Sequence, residues 1–401
     1  MYKRYKLSFR IRYIVSIMLD DFKNFVEFMD QKANNENQNE REPDVCALFD
    51  TQERLFQPRI KFLDPMTQFK NHKYIFTLQH KIDTLQDLID LSDKVGNNTK
   101  HEYSIDVKTL VNIKSSLLKL NNFIGIKDIK KDILHQILYY LQRMNSKDDY
   151  MHIVISGPPG CGKTELAKTI GEIFSKMNVL KNNSFKKVVR SDLIAGYLGQ
   201  TALKTRELVE KNLGGVLFID EAYSLGHREK GDSFAKECID TLNESLSDHK
   251  DELMVIIAGY KQELDETFFR MNPGLRSRFP WTYHIDNYDH TELCEMFNKK
   301  ADALSYVKSP SEKYVIHKWH LNVEHDALLS WFKSNYKDFK SYGRDIDVFL
   351  SSVKIAHSKR VFMCPQDKYY IKMEDIIEGK KLFQRGKEKK DDFRYAFDMY
   401  T

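Results

Sequence analysis

The sequence predicts an α/β core built on a five-stranded parallel sheet, with a small helical domain after it and a mainly helical region before it. Three observations predict this class. Five short apolar, β-branched segments alternate with segments of helical spacing between residues 121 and 288, and such alternation is typical of a parallel sheet covered on both faces. After residue 288 the strand-like segments stop and only helical spacing continues. In several segments before residue 121, apolar residues recur every three or four positions, which is the period of an amphipathic helix.

Residues 1–120 are the mainly helical N-terminal region, and they contain no catalytic motif. Residues 18–30 have helical apolar spacing, whereas residues 31–44 are polar and rich in asparagine, which predicts a flexible segment. Two later stretches, "HKIDTLQDLIDLSDKV" and "DVKTLVNIKSSLLKL", predict further helices. The basic start resembles a signal peptide, but Arg10 and Arg12 interrupt its apolar part and no small-residue cleavage site follows.

An α/β domain is expected over residues 121–288, and a helical lid domain over 289–390, with a tail at 391–401. Strands of the core are predicted at 152–157, 186–191, 215–220, 253–259 and 281–286. Helices of the core are predicted at 163–177, 201–212 and 233–248. Helices of the lid are predicted at 291–305, 323–337, 344–359 and 373–386.

The composition narrows the class of protein. Hydrophobic residues make up 41% and charged residues 30% of the chain, as in a globular protein with a core. The net charge of +5, from 63 basic and 58 acidic residues, is close to balanced and does not favour nucleic acid as a partner. No apolar run approaches the ~20 residues that a membrane span needs. Five scattered cysteines without a CxxC pair predict reduced thiols and a cytoplasmic location, and the many Asn, Lys and Ile residues suggest an AT-rich genome such as that of a virus.

The segment "GPPGCGKT" matches the phosphate-binding pattern GxxxxGK[ST], and it follows an apolar strand and opens a helix. Glycines allow backbone N–H groups to surround phosphate oxygens, and the helix N-terminus adds partial positive charge. Lys163 is expected to reach the β- and γ-phosphates, and Thr164 to give a hydroxyl to Mg²⁺. The expected nucleotide contacts are Gly157, Pro158, Pro159, Gly160, Cys161, Gly162, Lys163 and Thr164.

The segment "VLFIDEA" places two carboxylates at the end of a buried strand, where open α/β sheets bind ligands. Asp220 is expected to hold the Mg²⁺ shell, mainly through water, and Glu221 to polarise the attacking water as a general base. The structural alternative is an acidic N-cap after a strand. Because the phosphate-binding loop precedes this segment in the chain, the two motifs together predict binding and hydrolysis of ATP.

Three arginines are candidates for contacts with the γ-phosphate. Arg276 and Arg278 lie in "NPGLRSRFP", just before a predicted strand, and Arg344 lies in "YGRDIDVFL", at the start of a lid helix. Surface arginines are ordinarily solvated. For Arg276 and Arg278 the functional interpretation is an arginine finger, which stabilises the charge that builds up in the transition state on a neighbouring subunit's nucleotide. Arg344 is placed to reach a nucleotide across a domain interface.

Residues 122 to about 385 resemble an AAA+ ATPase, and within that family the subgroup of the red-type rubisco activase (CbbX) and the stage V sporulation protein K ATPases. The resemblance is carried by "NNFIGIKDIKKDI", "GGVLFIDEAYSL", "IIAGY" and "NPGLRSRF". It implies a hexameric ring and ATP-driven remodelling of a polypeptide. Nothing in the chain points to rubisco, so the target is not carried over from the family.

The resemblance also assigns roles to individual residues. It implies that Ile124 and Gly125 lie along the adenine. It implies a trans-acting arginine, for which Arg278 is the best match and Arg276 the second, and a second sensor arginine at Arg344.

Tyr260 follows the fourth strand, where many members of the family have a polar residue, often asparagine, that senses the γ-phosphate. A phenol can donate a hydrogen bond as well. The role of Tyr260 therefore stays open at this point.

The loop "GYLGQT" contains Tyr197, Leu198 and Gly199 between the second strand and the next helix. In AAA+ rings this connection faces the central channel, so the three residues are expected to grip a polypeptide substrate. The alternative is that Tyr197 and Leu198 pack back on their own domain, as most aromatic side chains do.

The sequence is therefore interpreted as a ring-forming, Mg²⁺-dependent ATPase that pulls on a protein substrate through a central pore. Two other functions compete with it. One is an AAA+ ATPase that acts on nucleic acid as a loader or helicase-like motor, for which strongly salt-dependent binding would be evidence. The other is a nucleotide-gated scaffold with little turnover, against which the intact Glu221, Arg278 and Arg344 argue.

Overall fold

The computed structural model describes residues 75–76, 81–96, 102–103, 105–146, 148–197, 199–226, 232–307, 316–362 and 365–398. All of them belong to one compact unit, Tyr74–Thr401. The segments predicted at 18–30 and 31–44 lie outside the described residues, as does Leu198.

Five parallel strands form the central sheet, which confirms the predicted fold class. Two short strands near the start of the unit, β1 and β2, pair parallel with each other. The central strands β3 to β7 are arranged in the order β4-β5-β6-β3-β7. The bounds of β1 to β7 are Ile75–Phe76, Glu102–Tyr103, Ile153–Ser156, Phe185–Val188, Val216–Ile219, Met254–Gly259 and Trp281–His284.

Helices cover both faces of this sheet, because alternate side chains of each strand point to opposite faces. In β3, Ile153 and Ile155 join one buried hydrophobic cluster, whereas Val154 joins the other. A strand that is buried on both faces reads as a continuous apolar run. Each fully buried aliphatic side chain contributes roughly 1.5–3 kcal/mol relative to its exposed state.

Ten helices belong to this part of the described chain, and two of them precede residue 122. These two helices, α1 and α2, pack into the same hydrophobic cluster as the helix after the phosphate-binding loop. The bounds of α1 to α10 are Leu85–Gly96, Val107–Asn121, Lys127–Leu141, Lys163–Lys176, Arg190–Leu193, Thr201–Glu210, Ser233–Asp248, Lys261–Glu266, Phe268–Met271 and Leu275–Arg278.

The lid is built from four helices around a cluster of aromatic rings, among which Phe332 and Phe349 are completely buried. The expectation that strands stop after residue 288 is wrong, since two pairs of short strands lie among the lid helices. Strands of two or three residues are too short to show an alternating pattern in the sequence. The last helix also continues through the predicted tail to Asp398. The helices α11 to α14 are His290–Asp302, His325–Asn335, Tyr342–Val361 and Met373–Asp398, and the strands β8 to β11 are Ser305–Val307, Ile316–Lys318, His320–Leu321 and Tyr370–Ile371.

Candidate functional site

A cavity of about 650 Å³ lies at the carboxyl edge of the sheet, between the core and the lid. The parallel register brings the ends of β3, β6 and β7 together at this edge, where Ser156 pairs with Gly259 and with His284. Most of the residues predicted for nucleotide binding and catalysis line the cavity. They are Ile124, Pro159, Gly160, Cys161, Gly162, Lys163, Thr164, Asp220, Glu221, Tyr260 and Arg344.

Other predicted residues do not line this cavity. Gly125 has a φ of +66°, and a Cβ there would crowd Glu292 and the Tyr288 ring. Its glycine identity is thus explained by packing under the cavity. Gly157 and Pro158 lie at the start of the phosphate-binding loop and take part through their carbonyl oxygens.

The phosphate-binding loop ends at α4, whose N-cap is Gly162 in the left-handed conformation, with a φ of 92°. The ammonium of Lys163 is folded onto the loop, where it donates to the carbonyl oxygens of Gly157 at 2.9 Å and Pro158 at 2.7 Å. Burial raises the pKa of the Cys161 thiol in spite of the nearby Lys163 ammonium. Cys161 is therefore a neutral packing group rather than a nucleophile.

Asp220 and Glu221 follow β5 directly and reach the cavity from the sheet side. Glu221 has a φ of 52°, a left-handed conformation that costs of order 1–3 kcal/mol and is found mostly at functional sites. Its backbone N–H donates to Asp220 Oδ1 at 3.1 Å. The Thr164 hydroxyl and the Asp220 carboxylate line the same cavity, and hard oxygen donors of this kind fit Mg²⁺.

Lys187 is a member of the site that sequence reasoning missed. Its ammonium lies 2.6 Å from Asp220 Oδ2, and its side chain is 49% exposed. Lys187 comes from β4, the strand hydrogen-bonded to β5. A lysine inside a strand is the one local signal for this contact, and it does not name the partner.

Tyr260 faces the cavity together with Tyr223, which sequence reasoning also missed. The two rings stack with centroids 5.6 Å apart, and the Lys163 ammonium lies 5.5 Å from the centroid of Tyr260. Burial, reinforced by the Glu221 charge, raises the pKa of Tyr223 to about 12. Tyr223 is therefore a neutral phenol at physiological pH.

The lid contacts the phosphate-binding loop backbone to backbone. A Cβ on Gly160, which has a φ of +73°, would overlap the Ser341 carbonyl oxygen, and a Cβ on Gly343 would lie 3.0 Å from the Gly160 oxygen. Glycine at both positions permits this approach. The contact places Arg344, in the first turn of α13, on the wall of the cavity.

Arg276 and Arg278 do not line the cavity of their own chain. Arg278 donates from Nε to Ser247 Oγ at 2.7 Å and from Nη1 to the Gly274 oxygen at 2.6 Å. Arg276 pairs with Asp265 and lies 4.0 Å above the centroid of the Phe269 ring.

Tyr197 lies on the loop between α5 and α6, and the residue is 74% exposed. It does not pack back on its own domain. Gly199 has a φ of +79°, and apart from its chain neighbours no described residue has an atom within 4 Å of an added Cβ. In the described part of the chain, no helix is long and apolar enough to cross a membrane, and Cys161, Cys238 and Cys294 are free and buried.

Comparison with known proteins shows which protein family the chain is similar to. Residues 153–286 match the family described as "ATPase family associated with various cellular activities (AAA)". A cfxQ-like protein of Acanthamoeba polyphaga mimivirus is 36% identical over 279 residues, which are 69% of this chain and 66% of that protein. Stage V sporulation protein K of Bacillus subtilis is 36% identical over 213 residues, covering 51% of this chain and 66% of that protein. Protein CfxQ of Xanthobacter flavus is 35% identical over 205 residues, covering 49% of this chain and 64% of that protein. The chain thus spans about two thirds of the length of these relatives.

Proposed function

Because this chain belongs to the AAA ATPase family, in the subgroup of the CfxQ and stage V sporulation protein K proteins, it is an ATPase, and we propose that it works as a hexameric ring that remodels a protein substrate. The proposal rests on where the functional groups lie in the part of the chain that the structure describes. The cavity collects the phosphate-binding and carboxylate groups, while a candidate trans-acting arginine and an exposed aromatic loop lie outside it.

Within the cavity, the roles follow from charge and position. Lys163 and the loop N–H groups bind the phosphates, and Thr164 and Asp220 hold Mg²⁺, which neutralises phosphate charge when bound. Glu221 polarises the attacking water, and general bases contribute roughly 10²- to 10⁴-fold. Arg344 reaches the nucleotide from the lid.

Outside the cavity, Arg278 completes the site of a neighbouring subunit. It lies on α10, is half-buried, and is held by hydrogen bonds to Ser247 and to the Gly274 oxygen, so its guanidinium is pre-positioned before assembly. An arginine supplied in trans contributes roughly 10³- to 10⁵-fold in related phosphoryl-transfer enzymes. Arg276, already paired with Asp265, is the second candidate.

Tyr197 supplies the grip on the substrate. Its ring stands clear of the domain, and Gly199 leaves the loop free to move with the nucleotide. Six such rings around an axis would hold an extended polypeptide by apolar contact, without a sequence requirement.

The test of the site compares Glu221→Gln with Lys163→Ala. Glu221→Gln keeps the phosphate and Mg²⁺ ligands, so it should bind ATP normally while turnover falls by roughly 10²- to 10⁴-fold. Lys163→Ala should lose nucleotide binding itself. Turnover of Glu221→Gln at the parental rate would show that Glu221 is not the base. A trapped complex of Glu221→Gln with ATP would also retain the protein substrate for identification.

A further inference from the structure

Tyr288 connects the phosphate-binding loop with the lid. It lies between β7 and α11, where the chain passes from the core into the lid. Its phenol donates a hydrogen bond to the Cys161 carbonyl oxygen at 3.0 Å. Its own carbonyl oxygen accepts a hydrogen bond from the Tyr336 hydroxyl at 2.9 Å, and its ring meets the Tyr342 ring edge to face at 5.6 Å.

The backbone around Tyr288 is held firmly. The next residue, Asp289, is the N-cap of α11, and it exchanges capping hydrogen bonds with Glu292 in both directions. A capping box of this kind fixes the direction in which the chain enters a helix. Tyr288 is 5% exposed, and burial raises its pKa, so the phenol stays a neutral donor over the whole physiological pH range.

The hydrogen bond from the Tyr288 phenol has a role in phosphate binding, because its acceptor is the Cys161 carbonyl oxygen of the phosphate-binding loop. The peptide between Cys161 and Gly162 is planar and trans, so its C=O and N–H point in opposite directions. A phenol that holds the Cys161 oxygen on one side therefore fixes the Gly162 N–H toward the other. Phosphate-binding loops work through N–H groups whose directions are fixed in this way.

Tyr288 also links the conformation of the phosphate-binding loop to the lid. A shift of the Cys161–Gly162 peptide on phosphate binding would move the phenol, and with it the carbonyl and ring that contact the lid. Tyr336 and Tyr342 flank the segment that touches Gly160, so the lid meets the loop at two adjacent places.

We propose that Tyr288 is a positioning residue that orients the Cys161–Gly162 peptide for phosphate and transmits the state of the loop to the lid. The proposal rests on nucleotide binding in the cavity, which is part of the proposed function.

The experiment combines ATP-analogue affinity with amide hydrogen exchange in the full chain, using a non-hydrolysable ATP analogue. In the parent, the analogue should slow exchange both in the loop, residues 157–164, and in the lid, residues 336–350. Tyr288→Phe keeps the ring but loses the donor, and should weaken analogue binding by about 3- to 30-fold, as expected when a buried acceptor loses its partner. It should also lose at least half of the slowing in the lid at saturating analogue.

Two further variants separate positioning from stability. Tyr336→Phe removes the lid-side hydrogen bond to the Tyr288 carbonyl oxygen and leaves the Tyr288 phenol intact, so it should keep the parental affinity and lose the lid response. Tyr283→Phe is the matched control, because it also removes one hydroxyl from a buried tyrosine, which donates to Gln136 at 2.6 Å, away from the loop and lid. It should behave as the parent in both measurements.

Parental affinity and parental lid response in Tyr288→Phe would overturn the inference. Equal effects of Tyr283→Phe, or faster exchange throughout the core without nucleotide, would also overturn it, because Tyr288 would then be a packing residue. Absence of analogue binding by the parent would refute the proposed function itself, and that result is obtained before any variant is made.

Discussion

His152 should make the protein lose stability as the pH falls from about 6.5 toward 4. The side chain is fully buried, accepts a hydrogen bond at Nδ1 from the Val255 N–H at 3.2 Å, and lies with Nε2 3.2 Å from the Leu246 carbonyl oxygen. One nitrogen accepts and the other donates, which is the pattern of a neutral imidazole. Burial, with the Arg278 charge as a smaller cause, lowers the pKa of His152 from 6.5 to about 4.

The direction of this pH effect follows from the number of protons that the folded and unfolded states bind at His152. Between pH 6.5 and 4 the unfolded chain binds a proton at His152 that the folded protein does not, so acid favours unfolding. Stability from this group is fully present above pH 6.5 and is lost as the pH falls toward 4. With those two pKa values, the loss between pH 7.5 and pH 5 is about 2 kcal/mol, and it approaches about 3 kcal/mol below pH 4.

The assay is the free energy of unfolding from urea titrations at pH 7.5 and pH 5, for the parent and for His152→Asn. Asparagine keeps an acceptor for the Val255 N–H but does not titrate. The variant should be less stable at pH 7.5, and the difference from the parent should shrink by about 2 kcal/mol at pH 5. Other groups titrate equally in both proteins, so parallel pH profiles of the two would show that protonation of His152 does not destabilise the fold.

The remaining predictions concern the proposed ATPase cycle. Mixing inactive Arg278→Ala subunits with inactive Glu221→Gln subunits should restore part of the ATPase activity, because one kind of interface then contains both intact groups. An ATPase rate from monomers that does not depend on protein concentration and is unchanged by Arg278→Ala would exclude a trans-acting arginine. Tyr197→Ala should keep nucleotide binding and most basal ATPase activity but abolish substrate remodelling, whereas Tyr197→Phe should keep substrate remodelling as well. Full remodelling by Tyr197→Ala would show that the ring does not grip the substrate. Lys187→Met should lower the Mg²⁺ concentration for half-maximal binding of a fluorescent ATP analogue by roughly two- to fivefold, since it frees the Asp220 carboxylate from a partly exposed ion pair. Lys186→Met, on the opposite face of the same strand, is the control, and equal shifts in both variants would contradict a specific role for Lys187.

The parts of the molecule that local chemistry determines could be predicted from sequence. The phosphate-binding loop is one such part, because the required glycine conformations and the helix start are encoded within eight consecutive residues. The strands β3, β5 and β6 are another, because they are buried along their whole length and burial on both faces demands a continuous apolar run.

Contacts between distant segments could not be predicted in this way. Lys187 meets Asp220 only because β4 and β5 are neighbours in register, and Tyr223 meets Tyr260 across the ends of two strands. Tyr288 reads as an ordinary loop aromatic until the lid is folded against the core. Each depends on tertiary arrangement, which no local spacing encodes.

The contact between Gly160 and Ser341 has a consequence for exchanging parts among related proteins. Position 160 is one of the four places that the pattern GxxxxGK[ST] leaves unrestricted, so a pattern search would accept alanine or serine there. In this protein the lid carbonyl already fills the space a side chain would need. A chimera that joins this lid to another phosphate-binding loop should therefore assemble only if the donor loop also has glycine at that place, and a loop without it should hold the lid open.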